Sequence, residues 1–197
     1  METKKTKLHL CCGSRNFGSD WVHIDGMPQP HLDYQIRDLG CLPFPDESFD
    51  LIYCSHAIGY FDREGIIPIL KEWQRVLKKG GMFRLATPDF DAINYLYRKG
   101  EYKLDDLLGL LHGKWEFEGN NKKFIYFKTS YDFVSLKQLL ESIGFIRVNL
   151  YDFRDTEHSE FDDHSKAHLP HIQESIDSGV FLPEQTLVSL NVECRRL

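Results

Sequence analysis

The sequence contains no apolar run that approaches the roughly 18 residues of a membrane-spanning helix. Its basic start, residues 1–7, is followed by an apolar stretch too short to be the core of a signal peptide. These two absences predict a cytoplasmic protein that does not associate with a membrane.

Cysteine is scarce, and no two cysteines form a C-x-x-C pair. The five cysteines lie at positions 11, 12, 41, 54 and 194. Because their number is odd and disulfides are rare in the cytosol, we interpret them as reduced thiols.

Positive charge is also in deficit: 24 Lys and Arg stand against 30 Asp and Glu, a net charge of -6. This balance argues against a general nucleic-acid binder. The contents of hydrophobic residues (42%) and aromatic residues (13%) argue against disorder. A length of 197 residues suits one domain with an adequate core. We therefore predict a single domain over residues 1–197 with no nucleic-acid partner.

The phosphate-binding motif G-x-G-x-x-G is missing as well. Instead, a short apolar run over residues 8–12 leads into a turn at Gly13, and a second apolar run over residues 21–24 ends at Asp25. A turn of small residues lets a ligand approach the main chain. An acid after the next strand can accept hydrogen bonds from two ribose hydroxyls. A pyrophosphate needs the missing glycines, whereas S-adenosylmethionine has no phosphate. The pattern therefore predicts a nucleotide-cofactor site.

Strand-like and helix-like segments alternate along the chain, which implies parallel strands with right-handed crossovers. Further strands are predicted at 34–37, 49–54, 82–86, 146–150 and 188–194. Helices are predicted over 66–77, ended by residues 78–81, then from Pro88 in a first helical position, and over 133–143. The stretches 100–130, rich in aromatics, and 154–185, polar and rich in histidine, are predicted insertions on the substrate side of the sheet.

Several stretches, in the right order, resemble motifs of class I S-adenosylmethionine-dependent methyltransferases. They are most similar to the small bacterial methyltransferase type 11 group that often accompanies polysaccharide biosynthesis. The matching stretches are residues 8–14 (LHLCCGS for "LNLGCGS"), 21–25 (WVHID for "WVNVD"), 37–39 with 42–50 (RDL and LPFPDESFD for "hDL…LPFPDnSFD"), 55–56 (SH for the opening of "SHVLEH"), 70–81 (for "LKEWRRVLKPGG") and 189–193 (SLNVE for "SLNVEA").

The resemblance implies a Rossmann-like, doubly wound α/β sheet of about seven strands in the order 3-2-1-4-5-7-6. The sheet would be mostly parallel, with the last strand antiparallel. It also implies S-adenosylmethionine as the cofactor. The methionine part would lie over the backbone of residues 11–13, the ribose on Asp25 and the adenine between residues 26–27 and 38–39. The implied cofactor-binding residues are Cys11, Cys12, Gly13, Asp25, Gly26, Met27, Asp38, Leu39, Ser55 and His56.

The sequence departs from the family at two places. Cys11 stands at the usual first glycine, from which we expect some loss of cofactor affinity. Ile58-Gly59-Tyr60 stands where the family has "LEH", so that motif's acid and histidine are both missing. Another group must then act as base if the protein is a catalyst.

His56 is the first candidate for a general base, because the pKa of histidine is near the working pH. Tyr60 and Asp89 are further catalytic candidates. His112 and Tyr126 are candidates for contact with the methyl acceptor. Structural roles stay open for the same groups: a helix cap or solvated acid for Asp25, a turn acid for Asp38 and a loop hydrogen bond for His56.

We expect methyl transfer to a small polar acceptor, such as a sugar or glycan precursor. Two alternatives stay open: a subunit that binds the cofactor without catalysing transfer, and another nucleotide-binding Rossmann-like protein, such as an NAD enzyme. The sequence does not indicate an oligomeric state.

Four histidines crowd the segment 158–171, and His164 and His168 lie one helical turn apart, close to Asp162 and Asp163. Such a set suits a metal site. A polar surface segment has the same composition. We therefore predict no tightly bound metal at His158, His164, His168 and His171.

Overall fold

The computed structural model describes residues 6–117, 123–171 and 184–197. Its strands are β1 (Lys7–Leu10), β2 (Trp21–Asp25), β3 (Tyr34–Gln35), β4 (Phe49–Ser55), β5 (Leu77–Pro88), β6 (Trp115–Phe117), β7 (Lys123–Ile125), β8 (Phe145–Leu150), β9 (His168–Pro170), β10 (Gln185–Leu187) and β11 (Ser189–Arg196). Its helices are α1 (Ile66–Val76), α2 (Phe90–Arg98), α3 (Leu104–His112) and α4 (Phe133–Ser142). Three short 3-10 turns are Ile58–Tyr60, Phe153–Asp155 and His164–Lys166.

Seven strands form the central sheet, in the order β3-β2-β1-β4-β5-β11-β8. The pairs from β3 to β5 are parallel, whereas β11 runs antiparallel to both β5 and β8. This confirms the predicted α/β sheet, its strand order and its antiparallel last strand. Two small hairpins, β6–β7 and β9–β10, stand outside the sheet.

One face of the sheet is apolar and lies under two helices. Alternate residues of the strands, such as Leu8 and Ile52, point into a core that also contains the buried positions of α1 and α4. In α1 these positions are Ile66, Leu70, Trp73 and Val76, which follow the helical period. The indole N–H of Trp73 donates a hydrogen bond to the carbonyl of Leu39 at 3.1 Å.

The opposite face is polar and aromatic, and the segment 151–167 packs against it. Phe17 is stacked between His9 and His158, with ring centroids 4.1 Å and 5.0 Å away. The hydroxyl of Tyr53, in β4, donates to Asp163 at 2.5 Å. His158 and Asp163 are buried, at 1% and 3% exposure. The interpretation of this histidine-rich segment as a polar surface is therefore wrong: part of it covers the sheet.

Several predicted boundaries were wrong, among them the start of β5, which lies at Leu77 and not at residue 82. Helix α1 ends at Val76, before the glycines, because Leu77 is fully buried and pairs with Phe49 as the start of β5. Pro88 ends β5, and Asp89 is the N-cap of α2. The third strand covers only residues 34–35 of the predicted 34–37.

Candidate active site

A cleft of about 670 Å³ opens at the carboxyl ends of β1, β2, β4 and β5. Its volume lies within the range usual for small-molecule sites, and its position is where open α/β sheets bind ligands. The predicted site residues that line it are Cys11, Gly13, Asp25, Gly26, Met27, Leu39, Ser55, His56 and Tyr60.

The turn after β1 presents main chain to this cleft. Cys11 and Gly13 both adopt positive φ, +54° and +55°. The amide of Cys12 donates to the carbonyl of Ile24 at 3.1 Å, which ties the turn to the end of β2. A Cβ on Gly13 would meet no atom closer than 4.0 Å, so glycine is favoured here by its φ and not by crowding.

Asp25, the last residue of β2, holds this turn with its carboxylate. Oδ2 accepts from the amide of Gly13 at 2.9 Å, and Oδ1 accepts from the amide of Met27 at 2.8 Å. Each carboxylate oxygen has a second lone pair. The side chain is therefore oriented by two backbone bonds and still able to accept from two ribose hydroxyls. The residues present fit the ribose of S-adenosylmethionine.

The next wall of the cleft contains three of the residues 36–39 and lacks the predicted acid. Ile36, Arg37 and Leu39 line it. Asp38 does not: its side chain is exposed and accepts from the amide of Gly40 at 3.0 Å, as a turn acid does. An adenine contact from Asp38 stays a prediction.

His56 follows β4 in a left-handed backbone conformation, with φ +51°. Its amide donates to the carbonyl of Ala86 at 2.7 Å, and its Nδ1 lies 3.2 Å from the hydroxyl of Ser55. Burial, the neighbouring His164 ring and Arg15 lower the pKa of His56 to about 3, although Asp163 acts in the opposite direction. The imidazole is therefore neutral at pH 7 and able to accept a proton.

The far wall of the cleft comes from α3 and the β6–β7 hairpin. Tyr60 lies next to this mostly apolar wall, with its ring centroid 4.6 Å from that of Phe127. The lining residues that the sequence did not predict as part of a cofactor or acceptor site are Ser14, Arg15, Ile36, Arg37, Ala57, Phe61, Pro88, Gly109, Leu110, Gly113, Lys114, Ile125, Phe127, His164 and Ala167. Of these, His164 was considered only as a metal ligand. The aromatic composition of residues 100–128 was the signal for part of this set.

Gly59 explains the departure from the family's "LEH". It lies in the 3-10 turn Ile58–Tyr60, and a Cβ there would stand 2.9 Å from the ring of Phe127 and 3.2 Å from the carbonyl of Thr129. An acidic side chain at this position therefore has no room while Phe127 is in place. Tyr60, at the family's histidine position, reaches the cleft instead, and burial raises its pKa.

The structure places four other candidates beside the cleft. The thiol of Cys12 is buried, 3.6 Å from His31 Nε2. Asp89 caps α2, accepting from the amides of residues 91 and 92, while its neighbour Pro88 lines the cleft. His112 and Tyr126 line an adjoining depression of about 420 Å³. Cofactor binding by Cys12, a catalytic role for Asp89 and acceptor-side roles for His112 and Tyr126 stay predictions.

The four histidines of the segment 158–171 have different surroundings. His158 is stacked on Phe17, His164 lines the cleft, the exposed His168 contacts the carbonyl of Lys166, and His171 contacts the hydroxyl of Thr186. Within the described ranges, no group of three or more His, Cys, Asp or Glu residues is arranged to hold a metal ion. Among all the residues that the structure describes, no helix is long and apolar enough to cross a membrane.

Comparison with known proteins points to one class. Residues 14–85 match the family model described as a methyltransferase domain. A sterol 4-C-methyltransferase of Caenorhabditis elegans is 33% identical over 89 residues, which are 42% of this chain and 26% of that protein. The chain thus matches about a quarter of the length of that relative.

Solved structures share the whole fold. A protein of Pyrococcus horikoshii superposes with a TM-score of 0.54 at 15% identity, covering 97% of this chain and 81% of that one. An S-adenosylmethionine-dependent methyltransferase of Methanosarcina mazei gives 0.52 at 15% identity, covering 97% and 92%. The chain therefore has the Rossmann-like methyltransferase fold. The match to a methyltransferase domain and the likeness to an S-adenosylmethionine-dependent structure support S-adenosylmethionine as the cofactor.

Proposed function

We propose that the protein is an active S-adenosylmethionine-dependent methyltransferase that acts on a small molecule. The observation that carries the proposal is the pairing of Asp25 with Gly13 at the mouth of the cleft, with His56 on the same cleft. An acid suited to the ribose, a main-chain turn that lines the cleft and a neutral imidazole thus lie on one surface. In this sheet β11 lies between β5 and β8 and is antiparallel to both. An all-parallel NAD-binding sheet has no such strand.

S-adenosylmethionine supplies a methyl group on a positively charged sulfur, which an acceptor lone pair displaces. Asp25 and the turn 11–13 would hold the cofactor, and the walls of the cleft would align the acceptor with the methyl group. His56 would take the proton that the acceptor oxygen or nitrogen loses as its bond to carbon forms. Because that proton becomes strongly acidic during transfer, a weakly basic imidazole is sufficient.

The far wall of the cleft favours an acceptor with an apolar part. Its lining there is mostly aliphatic and aromatic, as at Tyr60, Leu110, Ile125 and Phe127, with Lys114 as a nearby cation. A sugar or glycan precursor, predicted from the family resemblance, is the more polar alternative. Membership of a bacterial group linked to polysaccharide biosynthesis and a cytoplasmic location also stay predictions.

Calorimetric titration with S-adenosylmethionine, S-adenosylhomocysteine and NAD tests the cofactor. We expect both sulfur compounds to bind and NAD not to bind. Formation of S-adenosylhomocysteine is then followed with two acceptor panels, one of aromatic and aliphatic alcohols and amines and one of sugars. Product with either panel supports transfer, and the better panel identifies the acceptor class.

A second candidate function is a cofactor-binding subunit without catalytic activity. The observation that favours it is the packing of Gly59 against Phe127, which leaves no acid at the family position. Tight binding of S-adenosylhomocysteine with no product from either panel would favour this candidate over the enzyme.

A further inference from the structure

We infer that Asp163 is a positioning residue for the proposed methyl transfer: through Ser55 it fixes the tautomer of His56 so that Nε2 is the proton-accepting nitrogen. The inference rests on the proposed function, because only an acceptor in the cleft gives that nitrogen a role. It goes beyond the motif pattern, since Asp163 lies more than 100 residues from Ser55 and His56 in a segment that covers the sheet.

Asp163 is a buried carboxylate whose Oδ1 collects three hydrogen bonds. It accepts from the hydroxyl of Tyr53 at 2.5 Å, from the amide of Ser165 at 2.7 Å and from the hydroxyl of Ser55 at 3.2 Å. Burial raises the pKa of Asp163, but the bonds from Tyr53 and Ser165 outweigh it and hold the pKa below its usual value. The side chain is therefore an anion at neutral pH.

Ser55 has a single proton, and its oxygen lies 3.2 Å from both Asp163 Oδ1 and His56 Nδ1. A hydroxyl donates more strongly to a charged carboxylate than to a neutral imidazole. Ser55 therefore donates to Asp163 and accepts from Nδ1–H of His56. The proton of the neutral imidazole is then on Nδ1, and Nε2 carries the free lone pair.

The segment that carries Asp163 is fixed to the sheet independently of His56. The side-chain amide of Asn191, in β11, donates to the carbonyl of Ser165 at 2.8 Å, and the amide of Val188 donates to the carbonyl of Ala167 at 2.8 Å. Ser189 in turn donates to Asn191 at 2.9 Å. Asp163 is thus held against β4 by the last strand, which gives that strand a function in the site.

The charged and titratable groups that act on His56 are Asp163, His164 and Arg15. Asp163 is the one anion among them. It stabilises the imidazolium that forms when Nε2 takes the acceptor's proton, whereas Arg15 and His164 disfavour it. Before transfer, the same carboxylate sets which ring nitrogen bears the single proton.

The test is a long-range ¹H–¹⁵N NMR spectrum of the histidine rings in the full chain, with the His56 signals assigned from their loss in His56→Gln. We expect the Nδ1–H tautomer in the wild type. In Asp163→Ala no side chain at position 163 accepts from Ser55, so that Ser55 donates to Nδ1 and His56 changes to the Nε2–H tautomer. Ser55→Ala removes the link and should give the same change, which keeps the test available if Asp163→Ala does not fold.

The matched control is Asp162→Ala, at the exposed neighbouring position. It should leave the His56 tautomer as in the wild type. Titration of Asp162→Ala with S-adenosylhomocysteine should give a dissociation constant within about twofold of the wild-type value. An Nε2–H tautomer in the wild type, or no change in both Asp163→Ala and Ser55→Ala, would overturn the inference while leaving the cofactor site intact. Failure of the wild type to bind S-adenosylhomocysteine would instead overturn the proposed function.

Discussion

At the scale of single residues, Cys11 is the clearest departure from the family and has a physical cost. It stands at a family glycine and adopts φ +54°, a conformation that costs a residue with a Cβ about 1–2 kcal/mol. Its thiol lies beside Cys54, and this contact together with burial raises the pKa of Cys11 well above its usual value. The thiol is therefore protonated at neutral pH, whereas the thiolate is the nucleophilic form.

Cys11→Gly and Cys11→Ala separate the effect of the thiol from that of the left-handed backbone. Both variants remove the thiol, but only glycine adopts a positive φ without strain. We predict that the glycine variant is more stable than the alanine variant by about 1 kcal/mol, the reverse of the usual order within regular structure. The free energy of unfolding in urea measures this difference. An alanine variant more stable than the glycine variant would show that the left-handed conformation is not populated at position 11.

At the scale of elements, the wall made by α3 and the β6–β7 hairpin is attached to the core through Phe127. Its ring lies against two glycines: a Cβ on Gly59 would stand 2.9 Å from it, and a Cβ on Gly113 2.8 Å. The amide of Phe127 donates to the carbonyl of His112 at 2.6 Å, and the amide of Lys128 donates to the carbonyl of Gly59 at 2.7 Å. The far wall of the cleft therefore depends on Gly59 and Gly113 for the close packing of Phe127.

Gly59→Ala should therefore destabilise the protein by about 1–3 kcal/mol, the usual range for overpacking, since the carbonyl of Thr129 also blocks the new methyl group. The control is Gly109→Ala within α3, where a Cβ meets no atom within 4 Å. That change should stabilise the protein by about 0.5–1 kcal/mol, because glycine is a poor helix former. Thermal unfolding compares the two. Equal stability of both variants would mean that Phe127 does not pack on Gly59.

At the scale of the whole molecule, one sheet face is apolar and the other holds neutral histidines. Burial lowers the pKa of His158 to about 4 and also lowers the pKa of His9. The unfolded chain takes up protons on these groups near pH 6.5, whereas the folded chain does so only at lower pH. The unfolded state thus binds more protons between these values, and the free energy of unfolding falls as the pH is lowered from about 7 to 4.

His158→Phe should reduce this loss by up to about 3 kcal/mol while keeping the stack on Phe17, because lowering a pKa from 6.5 to about 4 corresponds to about that free energy. Urea unfolding at pH 7, 5.5 and 4 measures the slope. The control is His168→Phe, which removes a histidine at an exposed position and should leave the slope unchanged. A slope in His158→Phe as steep as that of the wild type would contradict this account.

How much the sequence predicts also depends on scale. The strand order and the turn–acid pair were predictable, because apolar periodicity and short motifs are local signals, as in residues 8–13 and 21–25. The end of α1 was not, since the burial of Leu77 is set by its pairing with Phe49. Nor was the role of residues 158–165, whose polar composition is typical of a surface. Only tertiary packing shows that Asp163 meets Tyr53 and Ser55 across more than 100 residues.

The central claim is that Asp25 holds the ribose of S-adenosylmethionine, and calorimetric titration with S-adenosylhomocysteine tests it most directly. Two ribose hydroxyls donating to one carboxylate are charge-assisted bonds, worth about 1.5–3 kcal/mol each. Water recovers part of this after truncation, so Asp25→Ala should weaken binding roughly ten- to a hundredfold. Asp25→Asn keeps one acceptor oxygen and should weaken binding less.

Because Asp25 also accepts from the amides of Gly13 and Met27, circular dichroism and thermal unfolding must first show that each variant is folded. The account predicts the affinity order wild type, then Asp25→Asn, then Asp25→Ala. Equal dissociation constants for the three folded proteins would contradict it, since Asp25 would then not be the ribose acid.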